Sequence, residues 1–396
     1  MRHMALLVVL AVLVVPLLLL ASPLTLASDA ARMTLPSGMS NPLTIRYPEL
    51  AQAPSPPLIV EGLRATYEIV AGSPDVVAGK GDVAYSKGEY GAGLVQIDIL
   101  ALEDGQAATR TVSFAPDAIT GGMKKINIYG SVNAAGCGDF WCNPSLLAAI
   151  PNRAGEDLTV DRGKYDLNGQ EYDVIRFYYR SQGISLGMIY DLETGILLHH
   201  TADYTSNLPT EEGGMVTRGQ NAIMRLRNLR QVNIPWNDGR VPSWARGGSS
   251  LHFQGTHSFW LPQLPDVAPT VSPISVRVDI QEAHERFIEG RQQTYTQEAV
   301  QPAYVPMVSS ISQLMGFWVP KEAMSLRPAI IDSDPDTGMV VSILESSPDG
   351  LIMQETNNIN YKFIAAYDAS GRVVQTVIES YAGTATGQRD ELQLVE

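Results

Sequence analysis

The sequence is poor in the residues from which metal centres and redox sites are built. Its 396 residues include two cysteines and six histidines, one of which, His3, precedes the N-terminal apolar run. His199 and His200 are adjacent on a predicted strand and therefore point to opposite faces, and no other histidine spacing matches a zinc-ligand pattern. The sequence predicts no cofactor and no metal centre of a standard type.

The signatures of nucleotide binding are also missing, and those of nucleophilic catalysis lack their structural context. There is no Ser-x-x-Lys motif, no phosphate-binding loop and no dinucleotide fingerprint. The one Gly-x-Ser-x-Gly pattern, Gly183-Ile-Ser-Leu-Gly187, lies within a predicted strand and not at the strand-to-helix turn of a nucleophile elbow. The net charge of −14, from 28 Lys+Arg against 42 Asp+Glu, argues against a nucleic-acid partner. A carboxylate pair for glycan hydrolysis cannot be selected from 42 acidic residues by sequence, so this alternative stays open.

The only long apolar run is at the N-terminus. A basic start, an apolar run from Met4 to Leu20 and a small-residue exit before Ser28 are the parts of a secretory signal. We therefore expect residues 1–27 to be a signal peptide or, if uncleaved, an N-terminal anchor, the one part that enters a membrane. Export would place the protein in the periplasm, outside the cell or in the cell envelope.

The two cysteines, Cys137 and Cys142, lie close together in sequence. Nearby cysteines in an exported chain usually pair, and their spacing has two residues more than the Cys-x-x-Cys redox motif. A zinc site would need two further ligands, which the neighbouring sequence lacks. The prediction is a disulfide that closes a short loop.

Glycine and proline, 34 and 25 residues, divide the chain into short apolar or alternating runs typical of strands. Residues 28–60 lack such periodicity and contain the run Ala53-Pro-Ser-Pro-Pro57, which predicts an extended Pro-rich arm. The fold class is therefore predicted to be mainly β, with short helical turns at Ser145–Ile150 and Glu322–Leu326.

Several features recur in the same order in two parts of the chain. Asp191 follows Trp141 by fifty residues and Asp368 follows Trp318 by fifty, and each aspartate begins an Asp-to-Gly turn between two strands. Chance reuse of a common hairpin is the alternative, but shared order and spacing favour a tandem duplication. The prediction is β module 1 at residues 61–236, a connector at 237–250 and β module 2 at 251–396.

Each module is predicted as a curved antiparallel sheet, half-barrel or sandwich-like. Such a sheet around a short helix, with the hairpins Asp191–Gly195 and Asp368–Gly371, resembles the half-barrel of periplasmic lipoprotein carriers and related envelope proteins. The resemblance is one of architecture, covers the second half of each module and does not fix a function.

Two charged groups are candidate sites. Arg225, Arg227 and Arg230 form a small basic run that suits an anionic partner, although a solvated face paired with acids is the common alternative. The carboxylates of Asp332, Asp334 and Asp336 suit a loose calcium site, although the EF-hand pattern fails and a tight turn explains them equally.

These features favour an exported, non-catalytic binding or assembly protein of the cell envelope. Its partner would be a protein or an apolar or lipid ligand, bound in a groove or along a sheet edge. A glycan hydrolase and a structural subunit of a surface layer, filament or membrane-associated complex remain the alternatives.

Overall fold

The short runs between glycines, prolines and asparagines form strands, which make up 64 % of this computed structural model, against 5 % helix. The structure describes residue 43 and residues 46–73, 75–78, 83–85, 89–117, 120–136, 140–209, 215–236, 239–296, 303–382 and 386–395. The proposed signal peptide, residues 1–27, lies outside the described residues.

The first sheet follows the strand order β6-β5-β4-β1-β12-β11-β10-β9-β8-β7, and β2, which pairs with β3, branches from β12. Its strands are β1 (Leu63–Ser73), β2 (Asp75–Ala78), β3 (Val83–Tyr85), β4 (Glu89–Glu103), β5 (Gln106–Pro116), β6 (Met123–Ala134), β7 (Arg153–Ala154), β8 (Leu158–Leu167), β9 (Gln170–Ser181), β10 (Ile184–Asp191), β11 (Leu197–Pro209) and β12 (Met215–Gln231).

The second sheet follows the order β16-β15-β14-β13-β22-β21-β20-β19-β18-β17. Its strands are β13 (Ser250–Trp260), β14 (Thr270–Ala283), β15 (Phe287–Thr296), β16 (Ala303–Ser310), β17 (Ala329–Ser333), β18 (Val340–Ser347), β19 (Gly350–Thr356), β20 (Tyr361–Asp368), β21 (Val373–Ala382) and β22 (Thr386–Leu394).

The two strand orders are the same once β2 and β3 are set aside. In each sheet four strands are followed by one helical turn, which is α2 (Pro144–Ala149) in the first module and a 3-10 turn (Lys321–Ser325) in the second. Asn143 caps α2 by accepting hydrogen bonds from the backbone N–H groups of the first turn. The predicted mainly β architecture of two tandem antiparallel-sheet modules with short helical turns is confirmed.

A tryptophan occupies the same place in both modules. Trp141 forms an isolated antiparallel bridge with Ile196, and Trp318 forms one with Arg372. Both indoles are buried, so the two tryptophans have the same core role in the two modules.

The Asp-to-Gly turns that follow are also equivalent. The N–H groups of Gly195 and Gly371 donate to the carbonyl oxygens of Asp191 and Asp368. Both glycines have positive φ, and an added Cβ would lie about 2 Å from the carbonyl oxygen of the residue after the tryptophan, at 1.9 Å and 2.0 Å. Only glycine fits these two positions, because both the backbone conformation and the space exclude a side chain.

The segment before each module packs on that module. Residues 46–60 are not wholly extended, because they contain α1 (Glu49–Gln52), and Leu43 and Leu50 are fully buried. Tyr47 makes an edge-to-face contact with Phe177 of β9. Residues 28–42, 44 and 45 of the predicted arm lie outside the described residues.

The connector is packed as well. Trp244 of the connector lies edge-to-face on Trp318, and Trp236, which directly precedes the connector, is buried and donates its indole N–H to the carbonyl oxygen of Ile311. Residues 237 and 238 of the predicted connector lie outside the described residues.

The chain divides into two compact units whose boundaries cut through the first sheet. The first unit holds the described residues of Met1–Pro56, Tyr67–Val95 and Gly136–Arg227; the second holds those of Pro57–Thr66, Gln96–Ala135 and Asn228–Glu396. The second unit therefore contains β5, β6 and parts of β1, β4 and β12 beside the complete second sheet. Within that unit, Leu100 and Ala108 share a small apolar cluster with Phe287 and Val308.

Within the described residues, no helix combines the length and the apolar composition that a membrane span requires.

Candidate functional site: a buried ionic cluster

Six charged side chains meet in the second unit, and we call them the ionic cluster. They come from strands far apart in sequence: Arg64 of β1, Asp98 of β4, Arg110 of β5, Arg230 of β12, Asp332 of β17 and Asp334 just after β17. Ionisable groups with perturbed pKa values often mark functional sites, so this cluster is the first candidate.

Arg64 connects two carboxylates. Its Nε and Nη2 donate to the two carboxylate oxygens of Asp98 at 2.6 Å and 2.9 Å, and its Nη1 donates to Oδ2 of Asp334 at 2.8 Å. Arg110 donates from Nε and Nη2 to Oδ2 of Asp98 at 3.1 Å and 2.6 Å. Asp98 is therefore held by two guanidinium groups at once.

Arg230 connects the remaining pair. It binds both carboxylate oxygens of Asp332 at 2.9 Å, and its Nη2 also donates to Oδ2 of Asp334 at 3.0 Å. The amide of Gln96 donates to the same oxygen of Asp334 at 2.8 Å. Bidentate contacts of this kind are the strong form of the charged hydrogen bond.

The second oxygen of Asp334 shapes its own loop. Its Oδ1 accepts from the backbone N–H groups of Asp336 and Thr337, and Gly338 closes the turn at φ +70°. The tight turn expected from this sequence is therefore present, and it aims Asp334 into the cluster.

The ionisation of these groups follows from their neighbours. Burial alone would raise the pKa of Asp98, but Arg64 and Arg110 outweigh burial and hold the pKa well below its usual range. Burial is likewise outweighed at Asp334, where Arg64 and Arg230 hold the carboxyl pKa well below its usual range. Both carboxylates stay ionised at any physiological pH.

A second buried pair lies within the same unit. Lys125 of β6 pairs with Glu355 of β19, and its ammonium lies 5.3 Å from the ring centroid of Tyr361. Burial lowers the pKa of Lys125 and outweighs the attraction of Glu355, while the positive charge of Arg110 lowers it further.

The cluster holds strands together and is not suited to proton transfer. Its three arginines balance its three aspartates, so no net charge remains for a ligand. A glycosidase needs a carboxylic acid whose pKa is raised, whereas the shifts at Asp98 and Asp334 have the opposite sign. These two carboxylates therefore give no support to the glycan hydrolase alternative.

The structure separates the three predicted arginines. Arg225 and Arg227 are exposed on one face of β12, with Leu226 buried on the other, and Arg227 donates to Glu68 at 2.6 Å. Arg230 instead points into the ionic cluster. An anionic partner at Arg225 and Arg227 stays a prediction.

The three predicted calcium ligands have different partners. The carboxylates of Asp332 and Asp334 face the guanidinium of Arg230, and Asp336 accepts from the amide of Asn228 at 3.1 Å. Calcium binding at these residues stays a prediction, although two of the three carboxylates already have cationic partners.

Sequence reasoning did not identify Arg64, Gln96, Asp98 or Arg110 as site residues. The available signal was the pair Gln96 and Asp98 inside the apolar run of β4, where polar side chains need buried partners.

Cys137 lies outside the described residues, and Cys142 is buried beside the bridge made by Trp141. The disulfide between Cys137 and Cys142 stays a prediction.

Neither a scan against protein-family models nor a search of curated proteins finds a match to this chain.

Proposed function

We propose that this is an exported, non-catalytic binding or assembly protein of the cell envelope, which acts through a contact surface. The observation that carries the proposal is the apolar tip of the β13–β14 hairpin, residues 261–271, which we call the hairpin tip. Large contiguous apolar patches on a protein surface usually mark interaction sites.

The hairpin tip exposes side chains that usually avoid water. Leu264, Val267 and Val271 are 51 %, 54 % and 59 % exposed. Three prolines, at 262, 265 and 269, stiffen the tip, and Asp266 is its only charged residue. A stiff apolar loop loses little conformational entropy when it docks.

Two aromatic residues lie at the base of the hairpin tip. Trp260 packs edge-to-face on Tyr381 with a centroid distance of 5.8 Å, and any side chain at Gly387 would collide with the indole. Tryptophan and tyrosine behind an apolar tip are typical of segments that lie in a membrane interface.

This chemistry favours a lipid surface as the occupant. No lysine or arginine occurs between Arg246 and Arg277, so attraction to anionic headgroups is weak and apolar burial must supply the affinity. In the first module the corresponding hairpin carries β2 and β3, so the apolar loop is a feature of the second module.

The test uses phosphatidylcholine vesicles that contain brominated acyl chains, which quench nearby tryptophans. We expect quenching of Trp260 in the full chain and its loss in the double variant Leu264→Ser and Val267→Ser, with vesicle affinity weaker by about tenfold or more. Ile330→Ser is the matched control, because Ile330 is 67 % exposed elsewhere on the second module.

Equal quenching in the wild-type protein and the tip variant would overturn the lipid assignment. A tip-dependent complex with an envelope protein, without vesicle binding, would keep the contact function and replace the lipid with a protein. If the tip variant keeps both vesicle binding and complex formation, the hairpin tip is not the contact surface and the proposed contact function is wrong.

A further inference from the structure

We propose that the hairpin between β14 and β15 binds one divalent first-row transition-metal ion through Glu282, His284 and Glu289. This inference is independent of the hairpin tip and of the proposed function. The ligand atoms of the three side chains all lie within 4.8 Å of one another.

A β-bulge brings these side chains together. The pairing of β14 with β15 shifts between Ile280 and Glu282, so that Gln281 is an extra residue and Glu282 lies directly opposite Glu289. Bulges redirect side chains and are common beside functional sites. His284 follows two residues after Glu282, at the start of the turn.

The imidazole of His284 is held in one position. Its ring stacks on Phe287 with a centroid distance of 4.0 Å and an interplanar angle of 13°, and its backbone N–H donates to the carbonyl oxygen of Phe287. The side chain is 20 % exposed, yet its Nε2 is buried and makes no hydrogen bond with the described residues.

The distance from this Nε2 to Oε1 of Glu289 is 3.5 Å. That is longer than an ordinary N–H···O bond of about 2.7–3.2 Å. Two ligands that each lie about 2.1 Å from one tetrahedral ion are roughly 3.4 Å apart. The spacing therefore fits two ligands of a shared metal ion better than a direct hydrogen bond.

The turn that carries the ligands is anchored from outside. The carboxylate of Glu103 accepts from the backbone N–H groups of Glu285 and Arg286 at 2.8 Å and 3.0 Å. The guanidinium of Arg286 binds both oxygens of Glu61 at 2.9 Å and 2.7 Å. Such supporting contacts fix the positions of ligands before an ion arrives.

The donor set selects the class of ion. One imidazole with two carboxylates suits Zn²⁺, Mn²⁺ or Fe²⁺, whereas Mg²⁺ and Ca²⁺ prefer oxygen ligands alone. Glu282 is exposed, so an ion can enter from solvent and complete its coordination with water. The corresponding β4–β5 turn is the two-residue Asp104-Gly105, with φ of 48° and 74°, and carries no such group.

The experiment is calorimetric titration of the metal-stripped full chain with Zn²⁺, with Mg²⁺ as a second probe. We expect one Zn²⁺ site that is weakened at least about tenfold by Glu289→Gln and by His284→Gln. His257→Gln is the matched control. His257 also contacts a carboxylate, that of Asp390, but among the described residues it belongs to no group of three possible metal ligands. Circular dichroism checks that each variant is folded.

Titration with Co²⁺ gives a second readout, since its visible absorption reports the ligand set directly. Zn²⁺ affinity that is unchanged in both Glu289→Gln and His284→Gln would overturn the site. Equal losses in His257→Gln, or Mg²⁺ binding as tight as Zn²⁺, would overturn it as well.

Discussion

The third strand in each sheet's order, β4 or β14, carries an aspartate in both modules, yet the two carboxylates have different surroundings. The side chain of Asp98 of β4 is 6 % exposed and forms ion pairs with Arg64 and Arg110. Asp279 of β14 is 33 % exposed and is bound by Arg277 of its own strand and by the hydroxyl of Ser250. One strand order therefore supports either a buried ionic cluster or an ordinary surface pair.

The comparison shows which features the fold requires and which are free to change. The tryptophan bridges and the glycine turns are the same in both modules because backbone geometry demands them. The charged residues, the hairpin tip and the β14–β15 turn differ, because side chains and strand connections can change while the strand order is kept. Function is thus expected in the parts that differ.

The largest effect is expected at Asp98. Asp98→Asn leaves two buried guanidinium groups without their shared carboxylate, which costs about 3–5 kcal/mol in the free energy of unfolding. Asp279→Asn should cost less than about 1 kcal/mol, because exposed ion pairs contribute little. Urea unfolding measures both, and equal losses would mean that burial does not distinguish the two positions.

The segment before the first module provides the next test. Leu50→Ala removes a fully buried side chain and should lower the free energy of unfolding by about 2–5 kcal/mol. Glu49→Ala, at the exposed neighbouring position, is the control. An unchanged midpoint in Leu50→Ala would mean that the arm serves a partner or is a passive linker, and deletion of residues 28–58 would then separate these two.

The glycine turns test whether the modules are equivalent. Gly195→Ala and Gly371→Ala should each cost about 2–4 kcal/mol, since the new Cβ meets a carbonyl oxygen and φ is positive. Gly169→Ala also has positive φ but no atom within 4 Å, so it should cost only about 1–2 kcal/mol. If only one of Gly195→Ala and Gly371→Ala causes a large loss of stability, the two turns are not equivalent.

The cysteines distinguish the first module from the second, where Val319 replaces Cys142 at the equivalent backbone position. Replacing Cys137 and Cys142 with serine should cost about 1–3 kcal/mol, because the closed loop is short. Intact-mass analysis after alkylation without reductant tests the pairing itself. Two alkylated thiols in protein taken from the envelope would contradict it.

The smallest effect concerns pH. Burial, reinforced by the neighbouring His199, lowers the pKa of His200 to about 4. Between pH 6.5 and 4 the unfolded chain therefore binds a proton at His200 that the folded chain does not, so stability falls as the pH falls. His200→Thr, which introduces the residue found at the equivalent Thr376, should reduce this dependence by at most about 1.4 kcal/mol per pH unit.

Unfolding midpoints at pH 7, 6 and 5 measure this difference, and parallel curves for both proteins would contradict it. The low pKa values of Asp98 and Asp334 act in a different window, because their stabilisation is present above about pH 4 and is lost only as the pH falls further.

Local patterns predicted the modules well because strands, Asp-to-Gly turns and the tryptophan spacing are encoded within short stretches. The ionic cluster joins residues that lie up to 270 positions apart in the sequence, such as Arg64 and Asp334, and no local pattern encodes such a contact. The three aspartates after Ile331 therefore form a recognisable group in the sequence, and Arg230 belongs to a separate basic run, but their pairing with each other and with Arg64 is not visible there. The bulge beside Glu282 depends on strand register, which the alternation of residues does not specify.

The most direct test of the contrast between the modules is a pair of double-mutant cycles. One cycle combines Arg64→Ala with Asp98→Ala, and the other combines Arg277→Ala with Asp279→Ala, with free energies of unfolding from urea titration. We expect a coupling energy above about 1.5 kcal/mol for the first pair and below about 1 kcal/mol for the second. Equal coupling energies would contradict the account, because they would show that the buried ionic cluster contributes no more than an exposed surface pair.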